Sequence, residues 1–298
     1  MIIRSAVSTH TGRRRRHNED AFVREPPLFA VADGMGGARA GEVASGLAAA
    51  ALKAGGENGG SGKERVVALI QQANRSVYER SNQDADVAGM GTTMTVALVE
   101  GSEVTFGHVG DSRAYIFRDD ALEQLTDDHS LVAELVRGGK LSPEEAEHHP
   151  QRSVITRAIG TDPDVDVDTF VVDARPGDVF LLCSDGLTDM IGDSEIVDTM
   201  TRSTNLDDAT RELVRLANRA GGEDNITVVA FQLADEPGEE TLEQTLEQTR
   251  EQTLPVDADA SAPPAETPSR STRRFLPLLA LLGVFVVVAV VLWVLTNR

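Results

Sequence analysis

Residues 92–118 read TTMTVALVEGSEVTFGHVGDSRAYIFR, and this stretch decides the fold. Two apolar runs, 92–100 and 103–109, are separated only by Gly101-Ser102. So short a glycine-containing connection predicts a tight antiparallel hairpin. A third strand-like run, 112–118, follows after Gly110-Asp111.

Working outward, further strand-like runs fall at 2–9, 27–32, 166–173, 177–183 and 225–233. Helical periodicity falls at about 39–53, 63–83, 130–138, 193–201 and 206–220. Two helices come early, then hairpins, then a mixed segment, then two helices and a last strand. Strand and helix do not alternate regularly, which disfavours a doubly wound parallel sheet. The pattern predicts an α+β domain of antiparallel sheets with helices on the outside. The segment from about 126 to 165 is polar, carries Pro143, Pro150 and Pro163, and reads as an excursion from the sheet.

The chain has 298 residues and a formal charge of −20. So negative a surface argues against nucleic acid as a partner, because phosphate backbones require Lys and Arg clusters. The lone cysteine, Cys183, excludes an intrachain disulfide. It ends the apolar run Val179–Cys183 and is followed by Asp185-Gly186, not by an anion-binding loop, so it reads as a core residue.

Composition breaks sharply near the C-terminus. Residues 1–234 read as one globular domain. Residues 235–274 are rich in Glu, Thr, Gln and Pro, include an imperfect TLEQ repeat, and read as an acidic low-complexity linker. Residues 275–295 carry no charge and would span about 31 Å as a helix, enough to cross a bilayer. Arg270, Arg273 and Arg274 outweigh Arg298, so the N-terminal side is expected in the cytoplasm, leaving residues 296–298 as a short tail.

Five acidic motifs carry the chemistry: Asn18-Glu19-Asp20, Asp33-Gly34-Met35-Gly36-Gly37, Gly110-Asp111-Ser112-Arg113, Ser184-Asp185-Gly186-Leu187 and Glu223-Asp224-Asn225. Asp33, Asp185 and Asp224 each lie where an apolar run begins or ends, which predicts strand-end carboxylates. An ionised Asp is costly to bury unless it is paired or binds a cation. Carboxylates without a His or Cys cluster are hard ligands suited to Mg²⁺ or Mn²⁺. The run Arg13–Arg16 supplies guanidinium groups able to grip phosphate, though on composition alone four arginines in a row read more readily as an exposed basic patch.

Taken in order, Arg15-x-x-Asn18-Glu19-Asp20, Ala32–Gly37, Gly91-Thr92-Thr93, Gly110–Ala114, Ser184–Leu187 and Asp224–Thr227 resemble the bacterial form of the metal-dependent type 2C (PPM) Ser/Thr protein phosphatases, over about residues 1–233. The resemblance implies a central antiparallel β-sandwich flanked by helices, α-β-β-α, with two or three Mn²⁺ or Mg²⁺ ions at one edge. It implies that Asp33 bridges two ions, that Asp185 and Asp224 complete the first, and that Glu19, Asp20 and the Gly34 carbonyl serve the second. It implies a third, weaker site at Asp111, with Asp189 assisting, phosphate binding by Arg15, and a substrate-shaping flap over 129–165. Met35 stands where animal members carry a proton-donating His, so the leaving-group acid has no assigned residue. The activity expected is hydrolysis of phosphoserine and phosphothreonine on cytoplasmic proteins at the inner membrane face, a Ser/Thr kinase among the partners. The alternatives are a membrane-tethered phosphoprotein-binding scaffold without activity, or a phosphatase acting on a partner-switch regulator.

Overall fold

The computed structural model describes residues 2–36, 40–55, 60 and 62–234. Gly37, the 235–274 linker and the 275–295 span lie outside the described residues. Among those described, no helix is long and apolar enough to cross a membrane.

The hairpin read from residues 92–118 stands at the centre of one sheet. β1 (Ile2–His10), β2 (Asp20–Glu25), β3 (Leu28–Met35), the short β4 (Gly91–Thr92), β5 (Met94–Glu100), β6 (Glu103–Val109), β7 (Arg113–Arg118), β8 (Ala121–Gln124), β9 (Asp168–Asp173), β10 (Val179–Cys183) and β11 (Ile226–Ala234) form two antiparallel sheets. One has the order β2-β3-β5-β6-β9, with β4 paired to β3; the other has the order β1-β11-β10-β7-β8. Glu100 pairs with Glu103 across the Gly101-Ser102 turn, where Gly101 takes φ 67°. That left-handed conformation strains residues bearing a Cβ.

Helices cover both outer faces. α1 (Ala40–Gly55) and α2 (Gly62–Gln83) pack on the β3-containing sheet. Ala44 and Ala48 of α1 are fully buried there, small enough for helix and strand to approach closely. α3 (Leu131–Arg137) and α4 (Pro143–Glu147) lie in the excursion. α5 (Asp185–Thr188), α6 (Asp193–Arg202) and α7 (Leu206–Ala220) cover the other sheet. α7 buries Ala209, Thr210, Leu213, Val214 and Ala217 at helical spacing, and Asn205 caps it by accepting from the Asp208 amide at 2.8 Å.

Between the sheets, Phe29, Phe106, Phe180 and Phe231 are fully buried, with Phe29 stacked on Phe231 at 4.3 Å. Truncating one of these rings to Ala costs about 3–5 kcal/mol. The layers are thus helix, sheet, sheet, helix, as the resemblance implied.

Three expectations need correction. β2, β8, α4 and α5 were not anticipated. The 92–100 run is divided at Thr93 into β4 and β5. Asp33 is not at a strand end: β3 continues to Met35, and Asp33 pairs across the ladder with Asp20. The apolar run ends at Ala32, but the Thr92-Thr93 backbone extends the pairing past it.

Candidate active site

Directly paired residues of an antiparallel ladder project from the same face, so the register Asp20↔Asp33 puts two carboxylates side by side. Thr92 and Thr93 hold the Asp33 backbone. The Asp33 amide donates to Thr93 Oγ1 at 2.9 Å, while its carbonyl accepts from the Thr93 amide and from Thr92 Oγ1, both at 2.8 Å. Thr93 Oγ1 also bonds Ser112 Oγ at 2.7 Å, which ties β3 to the turn carrying Asp111. Gly110 takes φ 111°, and a Cβ there would stand 2.6 Å from the Thr93 side chain. The turn can approach β4 only with glycine at that place.

The other sheet delivers two more acids. Ser184 leaves β10, and Asp185 opens α5 beside it. Ser184 Oγ donates to Asp20 Oδ2 at 2.9 Å and accepts from the Thr227 amide at 3.0 Å, bridging the two sheets. A Cβ on Gly186 would sit 2.0 Å from the Asn225 carbonyl, so glycine lets the Asp185 and Asp224 segments close on each other. Asp224 Oδ2 meets Arg15 Nη2 at 2.5 Å.

Asn225, 2% exposed, is the organising residue of the N-terminal loop. Its Oδ1 accepts from the Glu19 amide at 2.6 Å, and its Nδ2 donates to the Thr11 and His17 carbonyls at 2.9 Å each. One side chain thereby sets the loop carrying Arg15 and Glu19 over Asp224. Gly34 donates to the Glu19 carbonyl at 3.1 Å and leaves no room for a Cβ against the Gly41 carbonyl.

Electrostatically the cluster is under tension. Asp20, Asp33 and Asp185 are half-buried, and Asp111 is 8% exposed. Burial raises the pKa of all four, and neighbouring carboxylates raise them further: Asp185 acts on Asp20, Asp33 and Asp111, and Asp189 acts on Asp185. Glu19 and Asp189 are also shifted upward, again chiefly by burial. Asp20 Oδ1, Asp111 Oδ1 and Asp185 Oδ1 are buried and bond to nothing in the protein. Among the described residues no three of these groups already close on one point as a finished ligand cage. The pattern is of converging carboxylate oxygens that lack donors, and a hard cation fits it.

The structure therefore brings Asp20, Asp33, Asp111 and Asp185 into one electrostatic cluster, with Glu19, Gly34, Asp224 and Arg15 around it. A cleft of about 220 Å³ is lined by Arg15 and Glu19 of this set, with Arg16, His17 and Gly36. A larger groove of about 640 Å³ between α6 and α7 holds none of these residues. Two of its arginines pair with neighbours, Arg211 with Asp208 and Arg215 with Glu212.

Sequence reasoning missed the scaffold beneath the acids. His129, 3% exposed, clasps the Asp111 turn: its Nδ1 accepts from the Gly110 amide at 3.0 Å and its own amide donates to the Gly110 carbonyl at 2.8 Å. That leaves Nε2 to carry the proton toward Asp168, 3.1 Å away, which Arg157 also holds at 2.6 Å. The excursion is thus tied to the site through a neutral imidazole. Asn225 and Ser184 stand in those motifs, but the residues their side chains bind lie 41 to 214 positions away, so no local period could show the links.

A family model described as protein phosphatase 2C matches residues 9–230. The serine/threonine phosphatase stp of Listeria welshimeri is 41% identical over 241 residues, covering 75% of this chain and 93% of its own length. The crystal structure of the Mycobacterium tuberculosis serine/threonine phosphatase PstP/Ppp superposes with a TM-score of 0.75 at 39% identity, covering 79% of this chain and all of that one. The catalytic domain of PstP in complex with two manganese ions superposes with a TM-score of 0.72 at 37% identity, covering 78% of this chain and 99% of that one. The chain belongs to the protein phosphatase 2C family. By class it is a serine/threonine protein phosphatase.

Proposed function

We propose that this protein hydrolyses phosphoserine and phosphothreonine on proteins with Mn²⁺ or Mg²⁺, and that its C-terminal segment holds it at the inner membrane face, opposite a Ser/Thr kinase. One observation carries the catalytic part: three buried carboxylate oxygens without protein partners, on Asp20, Asp111 and Asp185, lie in one cluster of mutually repelling acids, and Arg15, paired with the neighbouring Asp224, lines a cleft. Asp33, Asp185 and Asp224 would hold one ion, Asp33, Glu19, Asp20 and the Gly34 carbonyl a second, and Asp111 with Asp189 a third. Such ions supply Lewis acidity at phosphorus and lower the pKa of an attacking water.

The chain's own residues bind and orient. Arg15 engages Asp224 through Nη2, and a guanidinium has five donors. The remainder face a cleft where phosphate oxygens would accept them. Neither Cys183 nor Ser184 is suited to attack phosphorus. Cys183 is fully buried, and that burial pushes its thiol up to about 12. The Ser184 hydroxyl is committed to Asp20 and Thr227. Met35, which follows Asp33-Gly34, has no ionisable group, so the leaving oxygen must take its proton from elsewhere.

The membrane part rests on the uncharged 275–295 run and its flanking arginines. Turnover of p-nitrophenyl phosphate and of a phosphothreonine peptide by the full chain, with Mn²⁺ and with chelator, tests the chemistry. Activity is expected only with metal. Turnover that survives chelation, or none with Mn²⁺, refutes the reading. Membrane fractionation of the full chain against residues 1–234 tests the anchor.

A further inference from the structure

The run Arg13–Arg16 is used only in part by this mechanism: Arg15 grips phosphate, and its three neighbours have no role. They are held in place all the same. The Arg13 amide donates to the Gly222 carbonyl at 2.6 Å and the Arg14 amide to the same oxygen at 3.3 Å. Gly12, at φ 79°, lies so close to the Asp224 carbonyl that a Cβ would stand 2.1 Å from it. The turn is therefore seated on the segment that presents Asp224, with the Arg13 side chain against Gly222. Arg16 lines the cleft beside Arg15.

Their side chains are exposed, and among the described residues none of the three forms an ion pair. Elsewhere in the domain, arginines near the site are committed: Arg113 to Asp128, Arg157 to Asp168 and Arg152 to Asp189. In a chain of net charge −20, an uncommitted basic island beside a phosphate cleft is an exception with a location. Its surroundings repel anions in general, so only an anion brought to that island experiences the three charges at short range.

We propose that Arg13, Arg14 and Arg16 form a docking rim that selects phosphoprotein substrates with anionic groups beside the scissile phosphoresidue, whether carboxylate side chains or a second phosphate. The proposal rests on the phosphatase reading above and adds the substrate class. Guanidinium groups bind both kinds of anion bidentately, and charges at the rim of an interface act mainly on encounter and selectivity.

The test uses the full chain in detergent with Mn²⁺ and three phosphothreonine peptides, whose flanks are neutral, rich in Asp and Glu, or carry a second phosphoserine. The readout is the ratio of kcat/KM for each anionic peptide to the neutral one, taken within each enzyme so that a general loss of activity cancels. Wild type should prefer anionic flanks by about tenfold at low salt, since each exposed charge pair contributes up to about fivefold. The ratio should fall toward one in Arg13→Gln/Arg14→Gln/Arg16→Gln, fall partway in the single Arg14→Gln, and shrink in 0.5 M NaCl, where the screening length is about 4 Å. A preference for only one anionic flank would name the source, carboxylate or phosphate. A wild-type ratio near one, or a ratio that survives the triple substitution, overturns the rim. So does a variant that alters retention on phosphatidylserine vesicles while its peptide ratios stay put, because the partner would then be a lipid surface. Failure of every peptide and of p-nitrophenyl phosphate in metal-loaded wild type would instead remove the phosphatase reading, and the rim with it.

Discussion

Acids drawn into the interior of this domain are handled in two opposite ways. Asp178, 3% exposed, receives Arg118 Nε at 2.8 Å, Arg118 Nη2 at 2.5 Å and the Arg175 amide at 2.7 Å. Burial alone would raise its pKa, but these donors more than reverse that and hold it low. Asp20, Asp33, Asp111 and Asp185 have few donors and one another for neighbours, and all four are shifted up. The same residue type is thus structural where the chain supplies the cation and functional where it does not. A fold tolerates such a deficit only if a cation arrives from solution.

The largest expected effect breaks the comparison in both directions at once. Asp33→Asn should lower kcat/KM by about three orders of magnitude or more, since the ions it helps hold supply several kcal/mol at phosphorus. The metal-free variant should unfold at no lower urea concentration than the metal-free wild type, because one repelling charge has gone. Arg118→Ala should do the reverse. It strands Asp178 and costs about 2 kcal/mol, less than for a sealed pair because the Arg118 side chain is 28% exposed, with kcat/KM within about twofold of wild type. Urea melts and steady-state kinetics on the two variants decide it. An Asp33→Asn enzyme that is merely unstable, not inactive, would erase the distinction.

A smaller effect follows from protons. Asp20 is raised to about 7 and Asp111 to about 8, mostly by burial. In the unfolded chain both ionise near pH 4. Between those limits the folded, metal-free protein holds protons that the unfolded chain has released. Its stability therefore falls as pH rises, by up to about 1.4 kcal/mol per unit for each such group. Chelated protein should gain in Tm as pH is lowered from 8 to 6.5. The window stops there because His108, depressed to about 3 by burial and by His129, begins to act with the opposite sign below the unfolded histidine range. Saturating Mn²⁺ should raise Tm at every pH, by about 2.7 kcal/mol of stability at a hundred times Kd. It should also flatten or reverse the slope, because ligands bind deprotonated. A chelated protein whose Tm rises steadily with pH would contradict the raised values.

How much of this was legible beforehand also divides along the comparison. Strands such as Val179–Cys183 and Ile226–Ala234, and the amphipathic α7, write themselves in apolar periodicity, because each buries a face against a neighbour. β2 was lost because it opens on Asp20 and closes on Arg24 and Glu25, on an edge strand where solvent accepts the last two. α5 is only four residues long, too short for a period. The acids themselves were legible through their glycine and amide neighbours, and the structure gives those neighbours their reasons, in close approaches at Gly34, Gly110 and Gly186. The hydrogen bonds that position them were not legible. Asn225 Oδ1 accepts from the Glu19 amide across 206 positions and His129 grips Gly110 across 19, and although Asn225, Glu19 and Gly110 stand in recognisable motifs, nothing in the sequence pairs the two ends.

The finest effect concerns those hidden supports. Thr93 and Thr126 are buried hydroxyls doing the same local task, each accepting from a backbone amide, Asp33 at 2.9 Å and Ala114 at 3.1 Å. Replacing either by Val keeps the shape and removes the acceptor, so each should cost about 1–2 kcal/mol of stability. They differ in what the amide carries. Thr93 also bonds Ser112 Oγ beside Asp111 and donates its own amide to the Asp33 carbonyl, whereas Thr126 supports a strand interior. Thr93→Val should weaken Mn²⁺ binding by about tenfold, the low end for outer partners of metal ligands, with the loss read by calorimetric titration at fixed pH. Thr126→Val should leave the Mn²⁺ affinity alone at an equal loss of stability. Equal shifts in affinity for the two would mean that the metal centre responds to global stability, and that the hydroxyls beneath Asp33 hold the fold without tuning the site.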